Sequence, residues 1–157
     1  MGNPPMTVVV GIGNDFRRDD GVGLYVARLV REISIESIKI VIGIPDGYAL
    51  METWSVSSKV YVIDSTVSGA LPGYIYRFDA LRENIPTDIF TGYSTHSINL
   101  VQAIELARTM NRLPDSLIIY GIEGGDFSPG PQLSPEVERA ARATSECIVN
   151  ELKKSKK

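Results

Sequence analysis

Cysteine and histidine each occur once in this chain of 157 residues, as Cys147 and His96. A single thiol cannot form an internal disulfide, and sparse cysteine is typical of proteins in a reducing cytosol. Cys147 lies next to Ile148, deep in the last predicted helix, so we expect it in the core rather than in a catalytic role. The composition therefore predicts a cytoplasmic protein without disulfides.

Long apolar runs and an excess of basic residues are also missing. No run approaches the ~20 residues that span a membrane. The residues before Val8 lack the basic and apolar regions of a signal peptide. Lys and Arg number 16 against 19 Asp and Glu, and the resulting net charge of −3 argues against a nucleic-acid binder. We therefore expect a soluble protein with neither a membrane nor a nucleic acid as partner.

Two common phosphate-binding motifs are absent as well. The dinucleotide fingerprint needs glycine at positions 11, 13 and 16, but Phe16 occupies the third position. The phosphate loop of ATPases needs a Gly-Lys-Ser/Thr triplet, which occurs nowhere in the chain. These absences argue against a nucleotide cofactor.

Apolar runs alternate with helical periodicities along the chain. Strands are predicted at 7–12, 39–44, 60–63, 74–78 and 116–122. Amphipathic helices are predicted with apolar faces that begin at Val22, Ala49, Leu100 and Val137. This alternation predicts a three-layer α/β fold, in which a mostly parallel, twisted sheet of about five strands has helices on both faces. No repeat or linker interrupts the pattern, so residues 1–157 are predicted to form a single domain.

The boundaries of the last helix are marked by particular residues. Ser134 is a typical N-cap and Pro135 is favoured at the first helical position. The predicted buried stripe consists of Val137, Ala141, Thr144 and Ile148. Before the third main helix, residues 82–93 are predicted to form a long irregular loop, and loops of this length are often functional.

The stretch 11–23 is unusually rich in charge for a loop between a strand and a helix. It leaves the first strand at its carboxyl end, which is the edge where open α/β sheets bind ligands. Within a few residues it contains Asp15, Arg17, Arg18, Asp19 and Asp20. We therefore predict a functional loop, in which the two arginines contact substrate or are simply solvated.

Three distant segments bring metal-binding residue types to this same edge. Asp19 or Asp20 opens the first helix, Asp64 closes the third strand, and His96 opens the third main helix. Carboxylate and imidazole ligands together suit a borderline divalent metal such as nickel, zinc or iron. The sequence therefore predicts a metal site built from these groups.

Each of these residues also has a purely structural interpretation. An acid just before a helix is commonly an N-cap, and successive helical residues point ~100° apart. We therefore assign Asp19 to capping or loop hydrogen bonds and Asp20 to the site. Asp64 could equally be a hydrogen-bonded turn acid, and His96 could be an ordinary imidazole. Glu123, at the end of the last strand, could join the site or serve a turn.

With these residues in these positions, the chain resembles the nickel–iron hydrogenase maturation proteases. That family opens with a Gly-x-Gly-Asn loop and an acidic pair before a helix, as residues 11–14 and 19–23 do here. Its second acid ends a central strand and its histidine opens a helix, as in residues 62–64 and 96–100. Its Leu-Ser-Pro-Glu-Val segment matches residues 133–137. The resemblance spans nearly the whole chain.

The resemblance implies a fold, a reaction and a partner. The fold would be phosphorylase/hydrolase-like, and Asp20, Asp64 and His96 would be the catalytic and metal-binding residues of an aspartic-type, metal-assisted endopeptidase. Such enzymes remove a C-terminal peptide from the hydrogenase large-subunit precursor once nickel has been inserted. We expect nickel to arrive in that precursor, although another divalent metal would fit the same ligands.

One segment departs from the family pattern, and two other functions remain open. Family members typically have a Gly-Thr-containing loop after the second strand, whereas residues 45–50 read Pro-Asp-Gly-Tyr-Ala-Leu here. One alternative is a metal-dependent peptidase or amidase that acts on another substrate. The other is a non-catalytic module that binds a small ligand.

Overall fold

The computed structural model describes residues 6–33, 38–86, 88–90 and 100–154. Within these ranges the strands are β1 (Thr7–Gly11), β2 (Ile38–Ile42), β3 (Lys59–Thr66), β4 (Ile75–Asp79) and β5 (Ser116–Glu123). The α-helices are α1 (Val22–Ile33), α2 (Gly47–Ser55), α3 (Leu100–Thr109) and α4 (Pro135–Lys154), and Arg18–Gly21 form a short 3₁₀ helix. No helix in the described ranges has the length and apolar character needed to cross a membrane.

The described strands form one sheet with the order β2-β1-β3-β5-β4. Neighbours among β2, β1, β3 and β5 pair in parallel. β4 lies at the edge of the sheet and runs antiparallel to β5. β1 and β3 lie in the interior of the sheet, which explains their apolar runs at residues 8–10 and 60–63, since both of their faces are buried. The prediction of a mostly parallel sheet is confirmed.

Successive residues of the interior strands face opposite sides of the sheet. Val8 and Val10 of β1 belong to a core cluster with residues of α2 and α3. Val9 belongs to a second cluster with residues of α1 and α4. Helices therefore cover both faces, as predicted for a three-layer α/β fold.

Cys147 is exposed, so the prediction of a core position was wrong. The predicted stripe of α4 is buried as expected, Ile148 included. Cys147 directly precedes Ile148 and therefore points ~100° away around the helix, toward solvent. Met110, predicted on the apolar face of the third main helix, is also exposed, and it lies one residue beyond the end of α3.

Candidate active site

The beginning of α1 lies directly on the carboxyl ends of β1 and β3, because two glycines leave room for it. A Cβ atom on Gly23 would lie 2.3 Å from the carbonyl oxygens of Ile12 and Ile63. A Cβ atom on Gly11 would lie 2.3 Å from the carbonyl oxygen of Gly23. The absence of side chains at both positions brings the loop before α1 over the end of β3.

This loop folds back on itself at Gly13. Gly13 has a φ of +148°, and a Cβ atom there would lie 2.0 Å from the carbonyl oxygen of Asp20. The Asn14 amide donates a hydrogen bond of 3.2 Å to that same oxygen. The Asn14 side chain accepts a hydrogen bond of 2.9 Å from the Phe16 amide. The Gly-x-Gly-Asn sequence thus shapes the start of the loop that leads to Asp20.

Asp20 and Asp64 meet at Ser65. The Ser65 hydroxyl donates to Oδ1 of Asp20 at 3.1 Å, and the Ser65 amide donates to Oδ1 of Asp64 at 2.8 Å. Asp20 is 3% exposed and Asp64 is 6% exposed. Oδ2 of Asp20 is buried and has no hydrogen-bond partner within the part of the chain that the structure describes. His96, the third predicted site residue, lies outside the described residues.

The two carboxyl groups are electrostatically unfavourable neighbours. Burial raises the pKa of Asp64 well above its usual range, and the charge of Asp20 raises it further, against the hydrogen bond from the Ser65 amide. Burial also raises the pKa of Asp20, although the Ser65 hydroxyl and the charge of Arg17 act in the opposite direction. A cation bound between the carboxylates would favour their ionised forms.

Asp19 faces away from this pair and binds the loop after β5. It is fully buried. Its Oδ2 accepts hydrogen bonds from the amides of Gly125 and Asp126, each at 2.9 Å. Both of its carboxylate oxygens also bond to Ser134, through the amide and the hydroxyl at 2.7 Å each. The assignment of Asp19 to loop hydrogen bonds is confirmed.

Glu123 orders the loop that follows β3, as the turn interpretation predicted. Its carboxylate accepts hydrogen bonds from the Thr66 hydroxyl and from both the amide and the hydroxyl of Ser68, each at 2.8 Å. The Gly69 amide donates a further bond of 3.2 Å. Glu123 therefore holds the segment that directly follows Asp64 and Ser65.

Ser65 is the site residue that the sequence analysis missed. Neighbouring residues of a strand point to opposite faces, so a serine next to a site acid gives no signal of its own. β3 also extends to Thr66 rather than ending before Asp64, and its last residue pairs with Glu123. The only available clue was the polar run Asp64-Ser65-Thr66 after an apolar strand.

The segment that departs from the family pattern forms the beginning of α2. Asp46 is its N-cap, and the carboxylate accepts a hydrogen bond of 2.8 Å from the Ala49 amide. The adjacent Tyr48 is 63% exposed. The helix begins two residues earlier than predicted because the Asp46 cap forms at this point.

A family model described as hydrogenase maturation protease matches residues 25–151. The chain belongs to the hydrogenase maturation protease family. The matched stretch includes Asp64 and His96 and begins a few residues after Asp20. No curated protein sequence matches this chain.

Solved structures of similar fold include several endopeptidases. The hydrogenase maturating endopeptidase HybD from Escherichia coli has a TM-score of 0.78 at 19% identity, with 96% of this chain and 94% of that chain covered. A solution structure of an endopeptidase from Escherichia coli has a TM-score of 0.79 at 21% identity, with the same coverage. The [NiFe] hydrogenase maturation protease HybD from Thermococcus kodakarensis has a TM-score of 0.69 at 22% identity, covering 94% and 98%. These likenesses confirm the fold.

Family membership settles the general activity. The protein is a hydrolase, an endopeptidase that acts in the processing of the hydrogenase large subunit. The predicted family and reaction class are therefore confirmed. The roles of Asp20, Asp64 and His96 stay predictions.

Proposed function

We propose that this maturation protease removes a C-terminal peptide from a nickel-loaded large-subunit precursor, with Asp20, Asp64 and His96 as its catalytic and metal-facing residues. The observation that carries the proposal is the buried acid pair at Ser65, with Oδ2 of Asp20 left without a hydrogen bond among the described residues. A buried polar atom without a protein partner is the kind of group that a ligand satisfies.

The donor set fits nickel carried by the substrate. Two carboxylates and an imidazole suit a borderline divalent ion, and three protein ligands leave coordination positions open. The positive end of the α1 dipole lies directly after Asp20, where it favours the ionised form of that carboxyl group but opposes a free cation by roughly 0.3–1 kcal/mol. This balance supports an enzyme that holds free metal weakly and recognises nickel already bound to the precursor.

The chain's own residues would orient the two carboxylates and keep water from them. Ser65 holds both carboxyl groups from one position, and the low exposure of the pair strengthens every electrostatic interaction there. Nickel seated against these groups would polarise the scissile carbonyl or an attacking water. Asp20 and Asp64 would thus contact the nickel of the precursor and so fix the position of the scissile peptide bond in the site.

The direct test compares precursors with and without nickel. The protein is incubated with a nickel-loaded and with a nickel-free large subunit that keeps its C-terminal extension, and the products are weighed by mass spectrometry. We expect a shortened subunit from the nickel-loaded form alone. Equal cleavage of both forms, or cleavage of neither, would contradict the proposal.

Site variants test the assigned residues in the same assay. Asp20→Asn, Asp64→Asn and His96→Gln are each expected to lower the cleavage rate by about 100-fold or more. Asp115→Asn is the matched control, because Asp115 is exposed and directly precedes β5. It therefore lies at the amino end of that strand, whereas the site lies at the carboxyl ends of the strands. We expect this control to cleave like the wild type, and a site variant that does the same loses its assigned role.

A further inference from the structure

Asp19 lies next to the site residue Asp20 but bonds to a different part of the fold. From this geometry we propose that Asp19 is a positioning residue, which fixes the turn that aims the Asp20 carboxylate at Ser65 and Asp64. The inference rests on the proposed function, because it assumes that Asp20 acts in the reaction.

The turn that contains Asp19 is held by the loop after β5 through backbone bonds as well as through its carboxylate. The Asp19 amide donates to the carbonyl oxygen of Asp126 at 3.0 Å, and the Arg18 amide donates to that of Gly130 at 2.8 Å. The Gly130 amide donates in turn to the Phe16 carbonyl oxygen at 2.9 Å. Residues 16–19 are therefore paired with residues 126–130 along their backbone.

This turn is strained at Arg18, which makes the outside support necessary. Arg18 has a φ of +43°, a left-handed conformation that residues other than glycine rarely adopt. Such a conformation persists only where the surrounding structure over-determines it. Gly130 allows the close approach, since a Cβ atom there would lie 3.1 Å from the Arg18 guanidinium. Long-range contacts thus hold a turn that the local sequence does not favour.

The orientation of Asp20 follows from that of Asp19. Residues 18–21 form one 3₁₀ turn, in which successive side chains point about 120° apart. With the Asp19 carboxylate fixed against residues 125–134, the Asp20 carboxylate is directed to β3, where the Ser65 hydroxyl donates to it. A rotation of the turn would break this arrangement, and a displacement of about 1 Å can cost about 100-fold in rate.

The donors around Asp19 require a carboxylate rather than an amide. Its partners are the amides of Gly125, Asp126 and Ser134 and the Ser134 hydroxyl. The NH₂ group of an asparagine would face at least one of these amide donors in either orientation. Asp19→Asn therefore loosens the turn and leaves the side-chain volume nearly unchanged.

The test measures kcat and KM for cleavage of the nickel-loaded precursor. For Asp19→Asn we expect kcat to fall about 10–100-fold, with KM changed by less than about threefold. Hydrogen–deuterium exchange of the variant without substrate should be faster than wild type in residues 125–134. Glu151→Gln is the control, because Glu151 is a hydrogen-bonded acid of α4 with the partners Tyr61, Arg77 and Tyr120. These partners lie outside residues 18–21, the acid turn. This control should keep its kcat although it loses stability.

The possible outcomes separate the inference from the proposed function. A kcat for Asp19→Asn within about threefold of wild type overturns the inference, as does an equal loss in Glu151→Gln. If Asp19→Asn does not fold, Ser134→Ala, which removes one hydroxyl bond to Asp19, should show a smaller fall in kcat at unchanged KM. A wild-type kcat in Ser134→Ala also overturns the inference.

Retained activity in Asp20→Asn overturns the proposed function itself. If Asp20→Asn is inactive while Asp19→Asn is fully active, the inference alone is overturned.

Discussion

Asp20 and Asp64 place two acidic groups in one buried spot, where each disfavours the ionisation of the other. Their hydrogen bonds to Ser65 offset only part of the cost of removing two carboxyl groups from water. Functional sites commonly keep such unfavourable groups because the reaction needs them. The stability of the protein should therefore improve when one charge is removed.

Asp64→Asn is expected to stabilise the free protein at neutral pH by roughly 0.5–2 kcal/mol while it abolishes cleavage. The remaining side-chain oxygen can still accept the Ser65 amide, and the repulsion with Asp20 disappears. Urea unfolding followed by circular dichroism measures the free energy. Asp115→Asn, at an exposed position, should change it by less than about 0.5 kcal/mol. A loss of stability in Asp64→Asn would show that its charge is compensated in the free protein.

The sequence was informative about the acids and silent about the serine between them. Helical geometry predicted that Asp19 and Asp20 have different partners, because consecutive side chains cannot point the same way. The preference for acids at helix starts assigned the structural role to Asp19. Ser65 could not be found in this way, because its bond to Asp20 depends on how closely α1 approaches β3. That approach is a tertiary property of residues far apart in the chain.

At the scale of elements, the contact between α1 and the interior strands β1 and β3 determines where the acid turn lies. At Gly23 the helix lies so close to both strands that an added Cβ atom would be 2.3 Å from the carbonyl oxygens of Ile12 and Ile63. Backbone atoms cannot rotate away as a side chain can. Any side chain at this position must therefore move the helix.

Gly23→Ala is expected to destabilise the protein by about 1–3 kcal/mol and to lower cleavage more than this loss explains, since Asp20 moves with the helix. Unfolding in urea and the cleavage rate of the folded fraction are the two measurements. Arg31→Ala, near the exposed end of the same helix, should leave both close to wild type. A Gly23→Ala protein with wild-type cleavage would mean that the helix start does not position the acid.

Element prediction succeeded where periodicity is local and failed where pairing is long-range. The predicted strands and helices match the observed ones within two or three residues at most ends. β3 continues past Asp64 because its pairing with β5 extends to Thr66 and Glu123, which no local pattern reveals. The error at Cys147 arose because a residue beside a buried position was assumed to share its face.

At the scale of the whole molecule, Glu151 ties the C-terminal helix to the sheet. Its carboxylate accepts hydrogen bonds from Tyr61 of β3, Tyr120 of β5 and Arg77 of the edge strand β4. Partial burial raises the pKa of Glu151, but the hydrogen bonds from Arg77 and the tyrosines outweigh it, so the pKa lies below its usual value. One carboxylate thus joins three strands and a helix.

This tie predicts a particular pH dependence of stability. A carboxylate with a lowered pKa stabilises the folded state above its unfolded pKa of about 4.3, and the stabilisation is lost as the pH falls through the folded value. Glu151→Gln should therefore be less stable than wild type by about 1–3 kcal/mol at pH 7, and the difference should shrink in acid. Glu146→Gln, on the exposed side of α4, should show no such difference. A constant gap at all pH values would contradict the prediction.

The groups that bond to the Asp19 carboxylate lie 106 to 115 residues further along the chain. Synthesis on the ribosome therefore produces the acid turn long before the segment that gives it its shape. A nascent chain that ends before residue 125 already contains both site acids, but it lacks the described donors that fix the turn. The order of translation thus delays completion of this turn until residues 125–134 have emerged.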